Sequence, residues 1–172
     1  GACYSEIGPI ESAIKEFKKA IALEPEYSEA HYNLGVAFQR LDILDEAEFY
    51  YLKAINIKHA YPTAHNNLGL IALGRGQLHS AVKSFEWAVA YSPNFAEAHN
   101  NLGATFQELK QFNLAITQYQ KSILINPNYA QAFNNLGILW ESTGLKDKAL
   151  SHYEKAISIK EDFAEAYYNI SN

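Results

Sequence analysis

The stretch Ala64-His65-Asn66-Asn67-Leu68-Gly69 recurs with small changes along the whole 172-residue chain. Its last residue marks the spacing, because a glycine returns every 34 residues, at Gly35, Gly69, Gly103 and Gly137. A fixed period of this length is typical of helix-turn-helix units joined in an array. Each unit of such an array contacts mainly its neighbours, so the sequence predicts a stack of helix pairs rather than a single globular core.

We number the repeat so that this glycine is position eight. A single array over 1–172 then contains a partial repeat 1–27, full repeats 28–61, 62–95, 96–129 and 130–163, and a partial repeat 164–172. The first helix of each full repeat, helix A, is predicted near 28–41, 62–74, 96–109 and 130–142. The second, helix B, is predicted near 45–58, 78–91, 112–125 and 146–159. In the first repeat, Gly8-Pro9 predicts a turn that opens helix B near 10–23.

Small and large apolar residues alternate by position within the repeat. Position twenty is always alanine, and position twenty-four is always aromatic: Ala13, Ala47, Ala81, Ala115 and Ala149 are matched by Phe17, Tyr51, Phe85, Tyr119 and Tyr153. Large side chains set against small ones are what dense helix packing requires. The two positions are therefore predicted to form the joint between helices A and B.

Further positions complete the pattern. An aromatic residue stands at position eleven (Tyr4, Phe38, Phe106, Trp140) and proline at position thirty-two (Pro25, Pro93, Pro127). With Asn-Leu-Gly and the recurring alanines, this pattern resembles the tetratricopeptide repeat. The resemblance implies an all-α fold, a right-handed superhelical solenoid of antiparallel helix pairs, whose concave wall is made by the A helices and usually holds a partner protein. Asp42 and Lys110 depart from the pattern, because they replace the turn glycine at position fifteen.

The resemblance also places positions two, five, six, nine, twelve and thirteen of helix A on the concave face. The predicted groove residues are Tyr32, Asn33, Gln39, Arg40, Asn66, Asn67, Asn100, Asn101, Gln107, Glu108, Asn134, Asn135, Glu141 and Asn169. Asparagine fills position six in all five copies. Its amide offers a donor and an acceptor, which matches the needs of a peptide backbone. The superhelix of O-linked N-acetylglucosamine transferases, which this register resembles, uses such a ladder. The alternative is that these asparagines bridge neighbouring helices or are simply solvated.

A second known binding mode of the family is not expected. The clamp that holds the carboxylates of chaperone tails needs lysine at position five and asparagine at position nine. This chain has no lysine at position five, and its position-nine residues are Val36, Leu70, Ala104 and Ile138. Glutamates at Glu29, Glu97, Glu108, Glu141 and Glu165 make the groove acidic. An extended partner segment that is neutral to basic is therefore expected.

Composition excludes several other classes of function. The net charge is -5 with only two arginines, which argues against nucleic-acid binding. No apolar run is long enough for a membrane span, and no targeting signal is present, which leaves the cytoplasm only as a default location. His31, His65 and His99 occur once per repeat, so they are expected to pack rather than bind a metal. Cys3 is expected to be an exposed thiol. No cofactor or catalytic motif appears, so an enzyme is not predicted.

Two alternatives to a binding groove stay open. The chain begins inside a repeat and has no polar capping helix, so its ends could stack between molecules. The array could also be the targeting arm of a larger enzyme, such as a glycosyltransferase. For the groove itself, changing Asn67 and Asn101 to alanine is expected to abolish partner binding while leaving thermal stability nearly intact.

Overall fold

Ten α-helices and no strands make up the residues that the computed structural model describes, 2–171, with side chains described from residue 8 onward. Their bounds are α1 Ala2–Leu23, α2 Ser28–Arg40, α3 Leu44–Ile57, α4 Pro62–Gly74, α5 Leu78–Tyr91, α6 Ala96–Glu108, α7 Phe112–Ile125, α8 Ala130–Ser142, α9 Lys146–Ile159 and α10 Ala164–Ile170. Helices A and B of the full repeats lie within a residue of their predicted ends. The predicted all-α solenoid is confirmed. The thiol of Cys3 and the ring of Tyr4 lie outside the described side chains.

Packing follows the order of the chain. Each helix A packs most extensively against helix B of its own repeat, and each helix B then packs against helix A of the next. Helices α4, α6, α8 and α10 also contact one another in succession, so A helices line one wall of the stack. None of the described helices is both long and apolar enough to cross a membrane.

The joint within each repeat explains why glycine marks the period. The alanines at position twenty and the rings at position twenty-four are buried in all four full repeats. A Cβ atom added to Gly69 would lie only 2.5 Å from a ring carbon of Phe85, and one added to Gly103 would lie 2.8 Å from the ring of Tyr119. The aromatic ring therefore lies directly against the glycine backbone, a space that no larger residue can share.

The turn between helices A and B keeps one backbone geometry in every full repeat. Position fifteen adopts a left-handed φ of 59° at Asp42, 70° at Gly76, 59° at Lys110 and 80° at Gly144. The substitutions at Asp42 and Lys110 thus leave the turn intact. These two substitutions cost conformational energy instead, because a residue with a side chain is disfavoured at positive φ. The cost is larger for lysine than for aspartate.

The predicted turn at Gly8-Pro9 is wrong. Helix α1 runs continuously from Ala2 to Leu23 with Pro9 inside it. The φ of proline suits a helix, but proline lacks an N–H and its ring crowds the carbonyl four residues earlier as well as the residue before it. Gly8 has no Cβ, which relieves only the clash with the preceding residue, so the helix passes through this dipeptide at a cost.

Candidate partner-binding surface

The asparagines at position six link each A helix to the preceding repeat. Their side-chain Nδ2 groups donate to the Oδ1 of the position-five asparagine one repeat earlier: Asn101 to Asn66 at 3.0 Å, Asn135 to Asn100 at 3.0 Å and Asn169 to Asn134 at 3.1 Å. Asn67 instead donates to the hydroxyl of Tyr51 at 3.0 Å, because Tyr32 holds position five of its preceding repeat. From α4 to α10 the inner wall therefore carries a row of amides that joins each A helix to the next.

Burial separates the two asparagine positions. Asn66, Asn100 and Asn134 at position five are only 2%, 4% and 1% exposed. The position-six residues Asn67, Asn101, Asn135 and Asn169 are half-buried, and Asn33 is exposed. The structure thus places the position-five side chains inside the stack rather than on the groove, where the sequence had placed both. Close approach of neighbouring A helices is the reason, because it leaves room at the surface for only one amide per repeat.

Bridging uses only part of the hydrogen-bonding capacity of each position-six amide. An asparagine amide has two N–H hydrogens and an oxygen with two lone pairs, and each bridge takes one hydrogen. The oxygen of Asn135 accepts a further bond from Gln131 at 3.0 Å. The remaining hydrogen-bonding positions are held in a fixed orientation, which lowers the entropy lost when a ligand binds.

Position twelve is engaged with helix B. Gln39, Gln107 and Glu141 accept hydrogen bonds from the hydroxyls of Tyr51, Tyr119 and Tyr153 at 2.5, 3.0 and 2.7 Å. In repeat 62–95 the same pair of positions holds Leu73 and Phe85, and neither side chain has a hydrogen-bonding group. Sequence reasoning missed this link, although the signal was present because the two positions change together.

Burial also fixes the protonation of these tyrosines. It raises the pKa of the Tyr51, Tyr119 and Tyr153 hydroxyls well above their usual range, and for Tyr153 the neighbouring carboxylate of Glu141 raises the pKa further. The hydroxyls therefore stay protonated and remain donors. The position-twelve side chains are held by their own repeat, so only their outer atoms can meet a partner.

The floor and rim of the groove differ in polarity. Position nine supplies a stripe of half-buried aliphatic side chains, Val36, Leu70, Ala104 and Ile138. The exposed side chains of Arg40 and Glu108 occupy position thirteen. Towards the N-terminal end, the ring of Tyr32 stacks on Tyr61 with centroids 4.9 Å apart. Burial raises the pKa of Tyr61 to about 12, and the nearby Tyr32 and Glu29 make smaller contributions in the same direction.

The histidines at position four are packing residues, as predicted. Each is buried, and its Nε2 lies within hydrogen-bonding distance of a backbone carbonyl in the preceding repeat: His31 to Pro25 at 2.9 Å, His65 to His59 at 3.1 Å and His99 to Pro93 at 3.0 Å. Burial lowers the pKa of His65. Within residues 8–171, no cluster of three or more His, Cys, Asp or Glu could hold a metal ion.

Family models match most of the chain. One, described as TPR repeat, matches residues 2–42 and 72–110, and two described as Tetratricopeptide repeat match residues 94–162 and 28–60. No curated protein matches the chain.

Solved structures with the same architecture are numerous. The chain is similar to the crystal structure of MamA, with 25% identity and a TM-score of 0.81 over 92% of each chain. It is also similar to YrrB, described as a TPR protein with an unusual peptide-binding site, at 23% identity and a TM-score of 0.79 over 99% of this chain and 88% of that one. A MamA fragment from Desulfovibrio magneticus RS-1 has 22% identity and a TM-score of 0.80 over 95% and 92%. The two likenesses below 25% identity concern the fold alone.

Proposed function

The chain belongs to the tetratricopeptide-repeat family, and we propose that this protein-interaction module binds an extended polypeptide along its A-helix wall. The observation that carries the proposal is the row of position-six asparagines. Asn101, Asn135 and Asn169 are fixed by bridges to the preceding A helix, and Asn67 is fixed by its bond to Tyr51. Each of these four keeps part of its amide for another partner. In this reading, bridging and binding are two uses of the same side chain rather than alternatives.

The spacing of this row suits an extended chain. Neighbouring A helices pack roughly 8–10 Å apart, and an extended peptide advances about 3.3–3.6 Å per residue. Each asparagine would therefore meet about every third residue of the partner. The five, Asn33 to Asn169, would span about a dozen residues, and the bonds would go to the backbone rather than to particular side chains.

The rest of the groove gives the chemistry of the partner. Aliphatic residues at position nine favour small or apolar side chains facing the floor. Exposed Glu29, Glu97 and Glu108 favour Lys or Arg at the edges of the segment and disfavour acidic segments and nucleic acid. The role is non-catalytic, as is usual for repeats of this family.

Peptide selection followed by variant analysis tests the proposal. A phage-displayed library of random 12-residue peptides is selected on the protein, and recovered peptides are measured by fluorescence anisotropy. Asn33→Ala removes an exposed amide that makes no bridge in the described residues, and it should weaken binding roughly threefold to tenfold. Ala104→Arg fills the floor of the groove and should abolish binding.

Matched controls lie on helix B. Asn56→Ala is the same change at an exposed position of α3, and it should leave peptide affinity unchanged. Glu108→Gln should weaken only the basic peptides, whereas Glu154→Gln on α9 should have no effect. Peptides that bind Ala104→Arg as tightly as the unaltered protein would show that the groove is not their site.

The double change of Asn67 and Asn101 to alanine is a poor test, contrary to the expectation from sequence. Asn101 is the hydrogen-bond donor to buried Asn66, and Asn67 donates to buried Tyr51. Removing a donor to a buried acceptor costs about 1–3 kcal/mol. Loss of binding in that variant would therefore be mixed with loss of stability.

End-to-end self-association stays a prediction. The surface that it would use on α10 includes Tyr167 and Ile170, which are both exposed. Light scattering over a concentration series tests it, and a mass that does not change with concentration would remove it. A role as the targeting arm of a larger enzyme also stays a prediction.

A further inference from the structure

An open apolar groove lies on the outer wall, between helices α5 and α7. Its volume is about 630 Å³. Its floor is made by His99, Leu102 and Phe106 of α6. Leu114 and Leu124 of α7 line its side and are 46% and 80% exposed. Exposed leucines beside a cavity of this size mark a place where apolar surface is left uncovered.

The preceding repeat covers the same place with its own aromatic rings. Trp87 and Tyr91 of α5 pack on His65, with ring centroids 6.2 and 5.5 Å from the imidazole, and they stack on each other at 5.5 Å. One repeat later, the counterpart of His65 is His99. The counterparts of the two rings are Lys121 and Ile125, which line the open groove instead of covering it.

The other two full repeats carry the same lysine and isoleucine as repeat 96–129, but they place a ring beside the position-four side chain from position twenty-three. Tyr50 stacks on Phe38 and lies 6.1 Å from His31, and His152 lies 6.3 Å from Phe133. In repeat 96–129 the residue at that position is Gln118, whose side-chain amide lies 2.8 Å from Nδ1 of His99. The amide satisfies the histidine but leaves the apolar walls bare. Within the chain itself, the usual occupant of this place is therefore an aromatic side chain.

We propose that this groove is a second docking site, which binds an aromatic side chain presented by a partner polypeptide. An aromatic ring buries a large apolar area and stacks favourably on an imidazole. The rim adds charge selectivity, because exposed Glu86 lies on the α5 side and exposed Lys121 on the α7 side. Among the described residues no ion pair joins them. A segment with a basic and an acidic residue on either side of its aromatic residue complements both charges.

This site is independent of the concave groove. It is formed by helix B side chains, by Pro93 and Asn94 between α5 and α6, and by residues at positions four, seven and eleven, none of which belongs to the asparagine row. One partner could therefore occupy the inner wall while another docks outside.

The probe for the test is the capped tripeptide acetyl-Lys-Trp-Glu-amide, and its matched control is acetyl-Lys-Ala-Glu-amide. Binding is followed by NMR through the methyl signals of Leu102, Leu114 and Leu124. We expect saturable shifts with the tryptophan peptide. The alanine peptide should bind with an affinity at least about tenfold lower. No saturable shift at millimolar tryptophan peptide would overturn the proposal.

Two variants locate the binding site. Lys121→Trp with Ile125→Tyr copies the preceding repeat and should fill the groove, so that the probe no longer shifts the leucine methyls. The same pair of changes one repeat later, Lys155→Trp with Ile159→Tyr, should leave binding unchanged. Leu124→Glu alters a side chain that is mostly in solvent, so the protein should stay folded while probe affinity falls severalfold. Unchanged probe affinity in the filled variant and in Leu124→Glu would place the probe elsewhere and refute the site.

Discussion

Repeats 62–95 and 96–129 share one backbone but complete it with different side chains. In repeat 62–95, Phe85 is matched with Leu73, Gly76 forms the turn, and Trp87 and Tyr91 cover the outer wall. In repeat 96–129, Tyr119 donates to Gln107, Lys110 occupies the turn, and the outer wall holds an open groove. The 34-residue period thus determines where the helices lie. The residues chosen at particular positions determine whether the contact between helices A and B is polar, whether the turn is strained, and whether the outer wall is open.

The largest expected effect concerns the feature that both repeats share. Gly69→Ala forces a Cβ to within 2.5 Å of the Phe85 ring, and Gly103→Ala forces one to 2.8 Å from Tyr119. Overpacking of this kind costs about 1–3 kcal/mol, and the tighter Gly69 site should lose more. Urea unfolding measures the difference. Gly74→Ala is the control, because an added Cβ there meets nothing within 4 Å, and it should stabilise by up to about 1 kcal/mol. Equal stability of all three variants would contradict the packing described.

The paired positions twelve and twenty-four can be exchanged between the repeats. Phe85→Tyr introduces a hydroxyl in a fully buried place beside Leu73 and should cost about 1–3 kcal/mol, because the new group lacks an acceptor. Leu73→Gln supplies the acceptor that Gln107 provides to Tyr119. The double variant should therefore recover about 1 kcal/mol relative to the sum of the single changes. A double-mutant cycle measures this coupling, and additive effects would show that the two positions are independent.

The turn residue gives a smaller effect of opposite sign. Lys110 holds a left-handed φ of 59°, which glycine adopts without steric cost. Lys110→Gly should stabilise the protein by about 0.5–1 kcal/mol, the steric relief being partly offset by the greater freedom of unfolded glycine. Asp42→Gly should gain less because aspartate tolerates this region better. Thermal melting compares the two, and a less stable Lys110→Gly protein would refute the strain.

The smallest effect is a pH dependence in repeat 62–95. Burial lowers the pKa of His65 in the folded protein, whereas the pKa of the unfolded residue is about 6.5. Below that pH the unfolded state binds more protons, so the contribution of His65 to stability is complete above about 6.5 and is lost as pH falls through the lowered pKa. His65→Phe, which copies Phe133, should flatten the stability profile between about pH 7 and about pH 5, the range around the pKa of an unfolded histidine. An identical profile in the variant would show that His65 has no part in it.

The sequence predicted the helices because their signals are local and repeated. Each helix A and B of the full repeats followed from apolar spacing and from glycine at position eight. The course of α1 through Pro9 was not predictable from the same rules, because glycine and proline both disfavour a helix interior and together are typical of a turn.

For the candidate site, the sequence identified asparagine as the residue type, but not which of the two adjacent asparagines is buried and which faces the groove. Two adjacent asparagines such as Asn66 and Asn67 look equivalent in sequence. Their burial differs because it depends on how closely the next A helix approaches, which is a tertiary property. The link between Gln107 and Tyr119 could have been found, since position twelve carries an acceptor wherever a full repeat has tyrosine at position twenty-four. The open outer groove could not, because it depends on which side chains of helix B pack on the position-four residue, and rings reach that residue from different positions in different repeats.

The central claim is that the position-six asparagines bind the backbone of an extended partner. An amide-to-ester scan of a selected 12-residue peptide tests it most directly, because each ester removes one backbone N–H and keeps the side chain. The account predicts that esters at positions about three residues apart weaken binding roughly threefold to tenfold, and that Asn33→Ala abolishes the effect at one terminal position. Unchanged affinity at every ester, together with loss of binding when side chains are truncated, would contradict it.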